Sequence, residues 1–269
     1  MLEFCSGLPG YGVNDPDKEA YPEWHWWFTL LTGNKWLTDS HMRSWVIMMS
    51  KRLANNPEWF KNDRICFLDS RITQFWERDW PKFQRCEMLP PNSLDWFYGN
   101  LPKSHPTGKR WGYDVDDLYI PLNINMKHWV ALHVSIPNRH ITIYDSLPTY
   151  VNDATMGLLV EPYAVMMPHL MNAACLEEDK PKYFTTKYTH DRPSKVPHQR
   201  GDGDCGVFVL KFIECLALGH TTFPNTLSQT NCHLFREQIA ADLYHEINCR
   251  GPVEDPEDFD NIDLYDSTI

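Results

Sequence analysis

A cysteine stands where a glycine-rich turn enters a long apolar run. Cys205 follows the Gly-Asp-Gly-Asp stretch of residues 201–204, and residues 206–218 are almost wholly apolar. The length of that run and Gly219 at its end predict a buried helix that begins near the cysteine. Unpaired N–H groups at a helix start stabilise an anion, so this position predicts a nucleophilic thiol with a lowered pKa. The alternative is a cysteine that merely packs at the start of a helix.

A nucleophilic cysteine needs a base that removes its proton, and His128 is the candidate. It stands at the mouth of a β-hairpin predicted from residues 129–136 and 141–144. Asp145 follows the returning strand, so the hairpin brings both side chains to one end of the sheet. There the carboxylate can accept the imidazole proton and fix the orientation of the ring. Counting from the turn leaves an offset of a few residues, which a bulge or loop adjustment must supply.

An amide six residues before the cysteine completes the set. Gln199 could donate a hydrogen bond to a developing oxyanion, together with the backbone N–H of Cys205. Alone, a glutamine in a loop indicates nothing, and a lone histidine that begins a strand is more often structural. Together the four residues would supply nucleophile, base, orienter and oxyanion donor. The HExxH, P-loop and GxSxG patterns of zinc, phosphate and serine chemistry are absent from the sequence.

The composition is that of an ordinary globular protein. The chain has 269 residues, of which 42% are hydrophobic and 23% charged, which fits one large domain or two small ones. This excludes a collagen-like, coiled-coil or wholly disordered chain. No apolar run approaches the ~18 residues of a membrane span, and residues 1–4 lack the features of a signal peptide. We therefore expect neither secretion nor membrane insertion.

The cysteines and the net charge limit where the protein is expected to be located and what it is expected to bind. Eight cysteines without a C-x-x-C spacing indicate reduced thiols in a nuclear or cytoplasmic protein. The formal net charge is −11, which is not that of a general nucleic-acid binder. Seven acidic residues and no Lys or Arg lie in residues 251–269, so a disordered acidic tail is predicted there. Six basic residues against one Asp in residues 180–200 indicate a solvated loop or, alternatively, a partner-contact surface.

Hydrophobic periodicity and breaker residues predict the other elements. Helices are expected from a cap at Asp39 or Ser40 to about Ala54, over residues 154–175 with Pro162 and Pro168 able to kink or restart the helix, and over residues 232–247. Strands are expected at residues 118–122 and 183–188, a strand or buried turn at 65–68, and a loop at 81–112. Strands in the middle with helices before and after give an α+β fold. We expect a lead-in over residues 1–22, a single catalytic domain over 23–250, and then the tail.

Four segments in order resemble the ubiquitin-like-protein-specific cysteine proteases, also called SUMO or sentrin proteases. These segments are Trp36-Leu37-Thr38-Asp39, Tyr119–Asn123 followed by His128-Trp129, Tyr144-Asp145-Ser146-Leu147, and Gln199 with Asp204-Cys205-Gly206. The resemblance covers roughly residues 30–250. The sequence looks like the divergent plant branch of the family, which mobile elements often carry. It departs from the family at Thr38, at Gly201, where asparagine is common, and in the long segment between Asp145 and Gln199.

The resemblance implies a fold and an activity. The fold would be papain-like, a mixed or antiparallel sheet flanked by helices, with the nucleophile at the start of a buried helix. The activity would be thiol-dependent cleavage after the C-terminal Gly-Gly of a small ubiquitin-like modifier, SUMO being favoured. His128, Asp145, Gln199 and Cys205 would be catalytic, with no metal or organic cofactor. We expect a monomer whose partners are the modifier and its conjugates, with no direct nucleic-acid or membrane partner.

The resemblance also implies how the substrate tail is held. Trp36 and Trp129 would sandwich the Gly-Gly tail, and Asp39 would pair with a basic residue of the modifier. Each tryptophan can instead be ordinary core packing, and Asp39 can be only a helix cap. The alternatives for the whole protein are a deneddylase, a deubiquitinase or an acyltransferase on the same fold, or a catalytically silent, mobile-element-derived protein that binds a modifier.

Overall fold

The computed structural model describes residues 22–103 and 105–248. The helices are α1 (Pro22–Leu31), α2 (Asp39–Asn55), α3 (Ser70–Cys86), α4 (Ser93–Phe97), α5 (Asp153–Ala174), α6 (Cys205–Ala217) and α7 (Cys232–Asn248). The strands are β1 (Ile65–Phe67), β2 (Asp117–Ile124), β3 (His128–Ser135), β4 (His140–Tyr144) and β5 (Thr189–Asp191). The predicted lead-in, apart from Pro22, and the predicted acidic tail lie outside the described residues.

The five strands form one mixed sheet in chain order. The β1–β2 and β4–β5 pairs are parallel, while β2–β3 and β3–β4 are antiparallel. The hairpin predicted from residues 129–136 and 141–144 is therefore confirmed. Its register runs without a bulge from Ser135 opposite His140 to Ala131 opposite Tyr144. Continued by one residue, that register sets Asp145 opposite Val130, on the same face as His128 but two residues from it. The predicted offset is therefore present, and the chain beyond the end of β4 closes it without a bulge.

The sheet separates two hydrophobic cores. Alternate β3 side chains enter them: Val130 and Leu132 pack with α3, α4 and α5, whereas Trp129 and Ala131 pack with α1, α2, α6 and α7. Residues 205–213 of α6 are all buried, which confirms the central helix predicted from its apolar run. No helix in the described ranges is long and apolar enough to cross a membrane.

Three predicted elements differ from the structure. The loop expected over residues 81–112 is wrong at its start, because α3 continues to Cys86 with Pro81 inside it and α4 follows. A proline removes one helical hydrogen bond, and the buried face of α3, which includes Trp76 and Phe83, outweighs that loss. The strand predicted at residues 183–188 is also wrong, since the strand that pairs with β4 is β5, directly after Tyr188.

The cap of α2 is the third difference. Thr38 is the N-cap, and its backbone N–H donates to His41 Nδ1 at 3.1 Å. Asp39 is therefore the first helical residue rather than the cap. In α5, Pro162 and Pro168 lie within one continuous helix and do not divide it.

Candidate active site

Cys205 is the first residue of α6, and its side chain is buried. Its Sγ accepts a hydrogen bond from the backbone N–H of Trp129 at 3.4 Å, which joins the helix start to β3. Burial raises the pKa of the Cys205 thiol to about 11, and outweighs the N–H groups of Trp129 and Gly206, which favour the thiolate. The predicted lowering of this pKa by the helix start is therefore wrong for the unliganded protein. The thiol is protonated at neutral pH and needs a base.

Gly206 allows α6 to begin against α2. A Cβ atom at this position would lie 2.6 Å from Met42 Cε and 2.9 Å from Leu37 Cβ. The absence of a side chain thus brings the start of α6 against the segment that leads into α2. The same segment follows directly on Trp36, so this close contact fixes the position of Cys205 relative to that tryptophan.

His128 and Asp145 meet at the end of the hairpin. His128 Nε2 lies 2.8 Å from Asp145 Oδ1, and both side chains are buried. With Nε2 directed at the carboxylate, Nδ1 is the ring nitrogen left to exchange a proton with another group. Cys205 Sγ accepts a hydrogen bond from the backbone N–H of Trp129, the residue that follows His128. The structure therefore brings the predicted nucleophile, base and orienter together at one end of the sheet.

The Asp145 carboxylate has further partners. Its Oδ1 also accepts from the backbone N–H of Leu147 at 2.7 Å, and its Oδ2 accepts from Arg192 Nη2 at 2.5 Å. Burial alone would raise the pKa of Asp145, but His128, the Leu147 N–H and Arg192 together hold it below its ordinary value. The carboxylate is thus ionised at neutral pH. Nothing in the sequence distinguishes Arg192 from the other basic residues of its segment, so its role was not predicted.

Gln199 is fixed beside the same loop. Its backbone N–H donates to Ser146 O at 2.9 Å, and its Oε1 accepts from Ser146 Oγ at 2.9 Å. Its Nε2 donates to Gly201 O at 2.9 Å. An amide nitrogen carries two N–H groups, and within residues 22–103 and 105–248 its one acceptor is Gly201 O. Gln199 thus lies between the residue after Asp145 and the turn before Cys205, as an oxyanion donor would require.

The three predicted substrate-binding residues have different surroundings. The Trp129 indole is fully buried and its Nε1 donates to Leu37 O at 2.8 Å, while Trp36 is only partly buried. Asp39 Oδ1 accepts from Ser70 Oγ at 2.5 Å and from Gln74 Nε2 at 2.9 Å, which ties it to α3. Burial raises the pKa of Asp39, against the lowering effect of the Ser70 hydrogen bond. Their substrate contacts stay predictions, and Trp129 has a packing role besides.

A second arginine that the sequence did not reveal holds the cysteine turn. Arg236 of α7 is 0% exposed and donates to Asp204 Oδ1 from Nε at 3.0 Å and from Nη2 at 2.6 Å. It also donates to the backbone carbonyls of Thr29, Leu30, Lys35 and Gly203. One guanidinium therefore joins the turn before Cys205 to the loop before Trp36.

The two loops also touch directly. Gly203 has a φ of +92°, and a Cβ atom there would lie 2.1 Å from Asn34 O. Any other residue would therefore be strained and would push the loops apart. The glycine-rich turn serves this contact as well as access to the sulfur.

Comparisons with known proteins match the motifs. Residues 35–251 match the Ulp1 protease family, C-terminal catalytic domain. Human sentrin-specific protease 5 is 30% identical over 148 residues, which are 53% of this chain and 18% of the human protein. Ubiquitin-like-specific protease 1A of Arabidopsis thaliana is 21% identical over 219 residues, 79% of this chain and 37% of that protein. The chain thus spans well under half the length of these relatives.

Solved structures share the architecture. The C-terminal Ulp1 protease domain in complex with Smt3, the yeast orthologue of SUMO, has a TM-score of 0.53 at 17% identity, covering 82% of this chain and 81% of that one. The catalytic domain of the Ulp1-like SUMO protease of Chaetomium thermophilum has a TM-score of 0.51 at 17% identity, covering 81% and 75%. These similarities confirm the predicted α+β fold, a mixed sheet flanked by helices.

Proposed function

The chain belongs to the Ulp1 protease family, and from that membership we propose that it is a cysteine peptidase that cleaves after the C-terminal Gly-Gly of a SUMO-type modifier. The matched residues, 35–251, include all four candidate catalytic residues. The observation that carries the proposal is the buried His128–Asp145 pair beside the Cys205 sulfur at the start of α6. The names of the relatives, sentrin-specific and ubiquitin-like-specific proteases, support the class of substrate.

The first half-reaction forms an acyl-enzyme. His128 takes the thiol proton as Cys205 Sγ bonds to the carbonyl carbon of the modifier's last glycine. Because burial raises the pKa of the thiol to about 11, Cys205 needs His128 to take its proton before or during the attack. Asp145, held ionised, stabilises the imidazolium that results.

The oxygen that becomes negative needs hydrogen-bond donors. The second N–H of Gln199 Nε2 and the backbone N–H of Cys205 would supply them as charge develops in the transition state. The C–N bond then breaks and the imidazolium gives its proton to the leaving amine. In the second half-reaction His128 takes a proton from water, the hydroxide displaces the sulfur, and the modifier leaves with a free carboxylate.

Specificity for glycine would come from the tryptophans. Trp129 is fixed in the core by its bond to Leu37 O, so it supplies a rigid wall, and the partly exposed Trp36 supplies the facing one. Two rigid indoles hold a thin chain at low entropic cost, and a side chain on the last two residues is rejected by exclusion. Because the reaction needs a reduced Cys205, we also propose a nuclear or cytoplasmic location.

Activity-based probes test this function. SUMO, NEDD8 and ubiquitin, each carrying a C-terminal vinyl sulfone, are incubated with the wild type, with Cys205→Ser and with Cys86→Ser, whose cysteine is exposed on α3. We expect the SUMO probe to label wild type and Cys86→Ser, and Cys205→Ser to stay unlabelled. Faster labelling by NEDD8 or ubiquitin would reassign the substrate. Failure of all three probes, with Cys205 still open to a small alkylating reagent, would make the chain a silent modifier-binding protein.

A further inference from the structure

The carboxylate of Asp145 is shared between the imidazole and an arginine from outside the hairpin. Arg192 follows β5, and its Nη2 lies 2.5 Å from Asp145 Oδ2, while His128 Nε2 lies 2.8 Å from Oδ1. The side chains of Arg192 and Asp145 are only 7% and 1% exposed. Guanidinium, carboxylate and imidazole therefore form one continuous buried array.

The Nη1 group of Arg192 binds a loop that lies next to His128. Arg192 Nη1 donates to Val151 O at 2.9 Å and to Asp153 Oδ1 at 3.0 Å, where the chain turns from β4 into α5. The same loop carries Tyr150, whose ring centroid lies 5.1 Å from that of His128. A single side chain thus contacts both the carboxylate that binds the imidazole and the loop that carries the neighbouring aromatic ring.

We propose that Arg192 is a positioning residue that acts through Asp145, orienting this carboxylate toward His128 Nε2 and balancing its buried charge. The inference rests on the proposed function, since it concerns the same triad. A buried carboxylate with one neutral partner would draw a proton onto that partner, because an uncompensated buried charge is costly. The guanidinium supplies that compensation permanently.

The array matters because Cys205 must lose its proton to His128. A positive charge beside Asp145 opposes a second positive charge on the imidazole that shares this carboxylate. The other ionisable groups around the array are Cys205, which Asp145 disfavours as a thiolate, Tyr150, and Asp153, which is 90% exposed. Within residues 22–103 and 105–248, Arg192 is the only Lys or Arg side chain in direct contact with the Asp145 carboxylate.

Substitutions of Arg192 separate charge from geometry. Arg192→Gln removes the charge, so the acid limb of the kcat/KM profile should move upward by about one pH unit, and kcat should fall roughly ten- to hundredfold as the array loses its alignment. Arg192→Lys keeps the positive charge but loses the two-pronged guanidinium. The acid limb should therefore stay in place, and kcat should fall less than in Arg192→Gln. Lys187→Gln is the matched control, because Lys187 belongs to the same basic segment but forms an exposed ion pair with Glu161. It should leave both quantities unchanged.

The experiment records the pH dependence of modifier cleavage and, in parallel, of Cys205 alkylation by iodoacetamide, which needs no modifier. If the acid limb of Arg192→Gln coincides with that of the wild type in both the cleavage and the alkylation profile, the proposal is overturned. If no modifier is cut but the alkylation profile shifts, the proposed function fails and the role of Arg192 stands. If Arg192→Gln does not fold, Arg192→Lys decides: a lower kcat in a folded protein supports the role, and an unchanged kcat overturns it.

A double-mutant cycle tests whether Arg192 acts through Asp145. In an Asp145→Asn background the carboxylate is gone, so adding Arg192→Gln should lower the rate of alkylation or cleavage by less than about twofold. Losses that multiply in the double variant would show an independent, merely structural role and would overturn the proposal. Thermal midpoints of all variants establish that the folded protein is being compared.

Discussion

Replacing Arg236 by methionine should break the contact that holds the cysteine turn to the loop before Trp36. The guanidinium is 0% exposed and donates twice to Asp204 Oδ1 and once to each of four carbonyls. Methionine fills much of the same volume but donates no hydrogen bond. Asp204 would then lose its ion-pair partner and keep the hydrogen bonds from the Asn34 N–H at 3.1 Å, the Gln229 amide at 2.5 Å and the Cys232 thiol.

The free energy of unfolding should fall by several kcal/mol. Removing one partner of a buried ion pair costs ~3–5 kcal/mol, and the carbonyls left without a donor add to that. In a domain of this size each kcal/mol lowers the thermal midpoint by roughly 2–4 °C, so a loss of about 4 kcal/mol corresponds to about 8–16 °C. The folded fraction should also lose activity, because Cys205 and Trp36 are no longer held at a fixed separation.

Arg64 provides a control, because it also donates twice to one aspartate but at the surface. Its Nε and Nη2 bind the two oxygens of Asp116 at 2.6 and 2.7 Å, but the two side chains are 40% and 34% exposed. Arg64→Met should therefore cost about 1 kcal/mol or less. Urea unfolding of both variants, followed by tryptophan fluorescence, gives the comparison. Losses within 1 kcal/mol of each other would refute the argument that burial sets the value of the Arg236 contacts.

Two further predictions concern the substrate site. Gln199→Ala should lower kcat by roughly 10²–10³ with little change in KM, since its bond to the oxyanion strengthens in the transition state; a change confined to KM in steady-state kinetics would make it a substrate-binding residue. Trp129→Ala should cost ~3–5 kcal/mol in unfolding experiments, because the indole is fully buried, and a midpoint equal to that of the wild type would contradict its packing role. The channel role of Trp129 is tested by a substrate ending in Ala-Ala, which the wild type should not cut; efficient cleavage would rule the channel out.

Structural elements that are determined by residues close together in the sequence were predictable. The apolar run of α6 and the glycine after it describe a buried helix without reference to any neighbour. The hairpin likewise follows from two strand-like runs and a short turn. The order of Cys205, His128, Asp145 and Gln199 along the chain then limits which residues can meet at one end of the sheet. These are the parts of the molecule in which propensity, pattern and chemistry agree.

Elements that depend on a distant partner were not predictable. β5 is a strand because β4 offers a free edge to residues 189–191, while the more strand-like residues just before it find no such edge. The pKa of the Cys205 thiol depends on how deeply α6 is buried, and no feature of the Gly-Asp-Gly-Asp turn reveals that depth. The helix start does favour the thiolate, as expected, but burial has the larger effect.

Arg192 and Arg236 are the clearest examples of residues whose role the sequence does not reveal. In the sequence Arg192 is one of six basic residues in a segment that reads as a solvated surface, and Arg236 is an ordinary polar position of α7. A charged side chain is buried only when the fold supplies its counter-charge, and here Asp145 and Asp204 come from other segments of the chain. The motifs identify those two aspartates, but no sequence feature near them identifies the arginines that bind them. A buried carboxylate in a motif therefore predicts that some basic residue must reach it, and only the closed fold decides which one does.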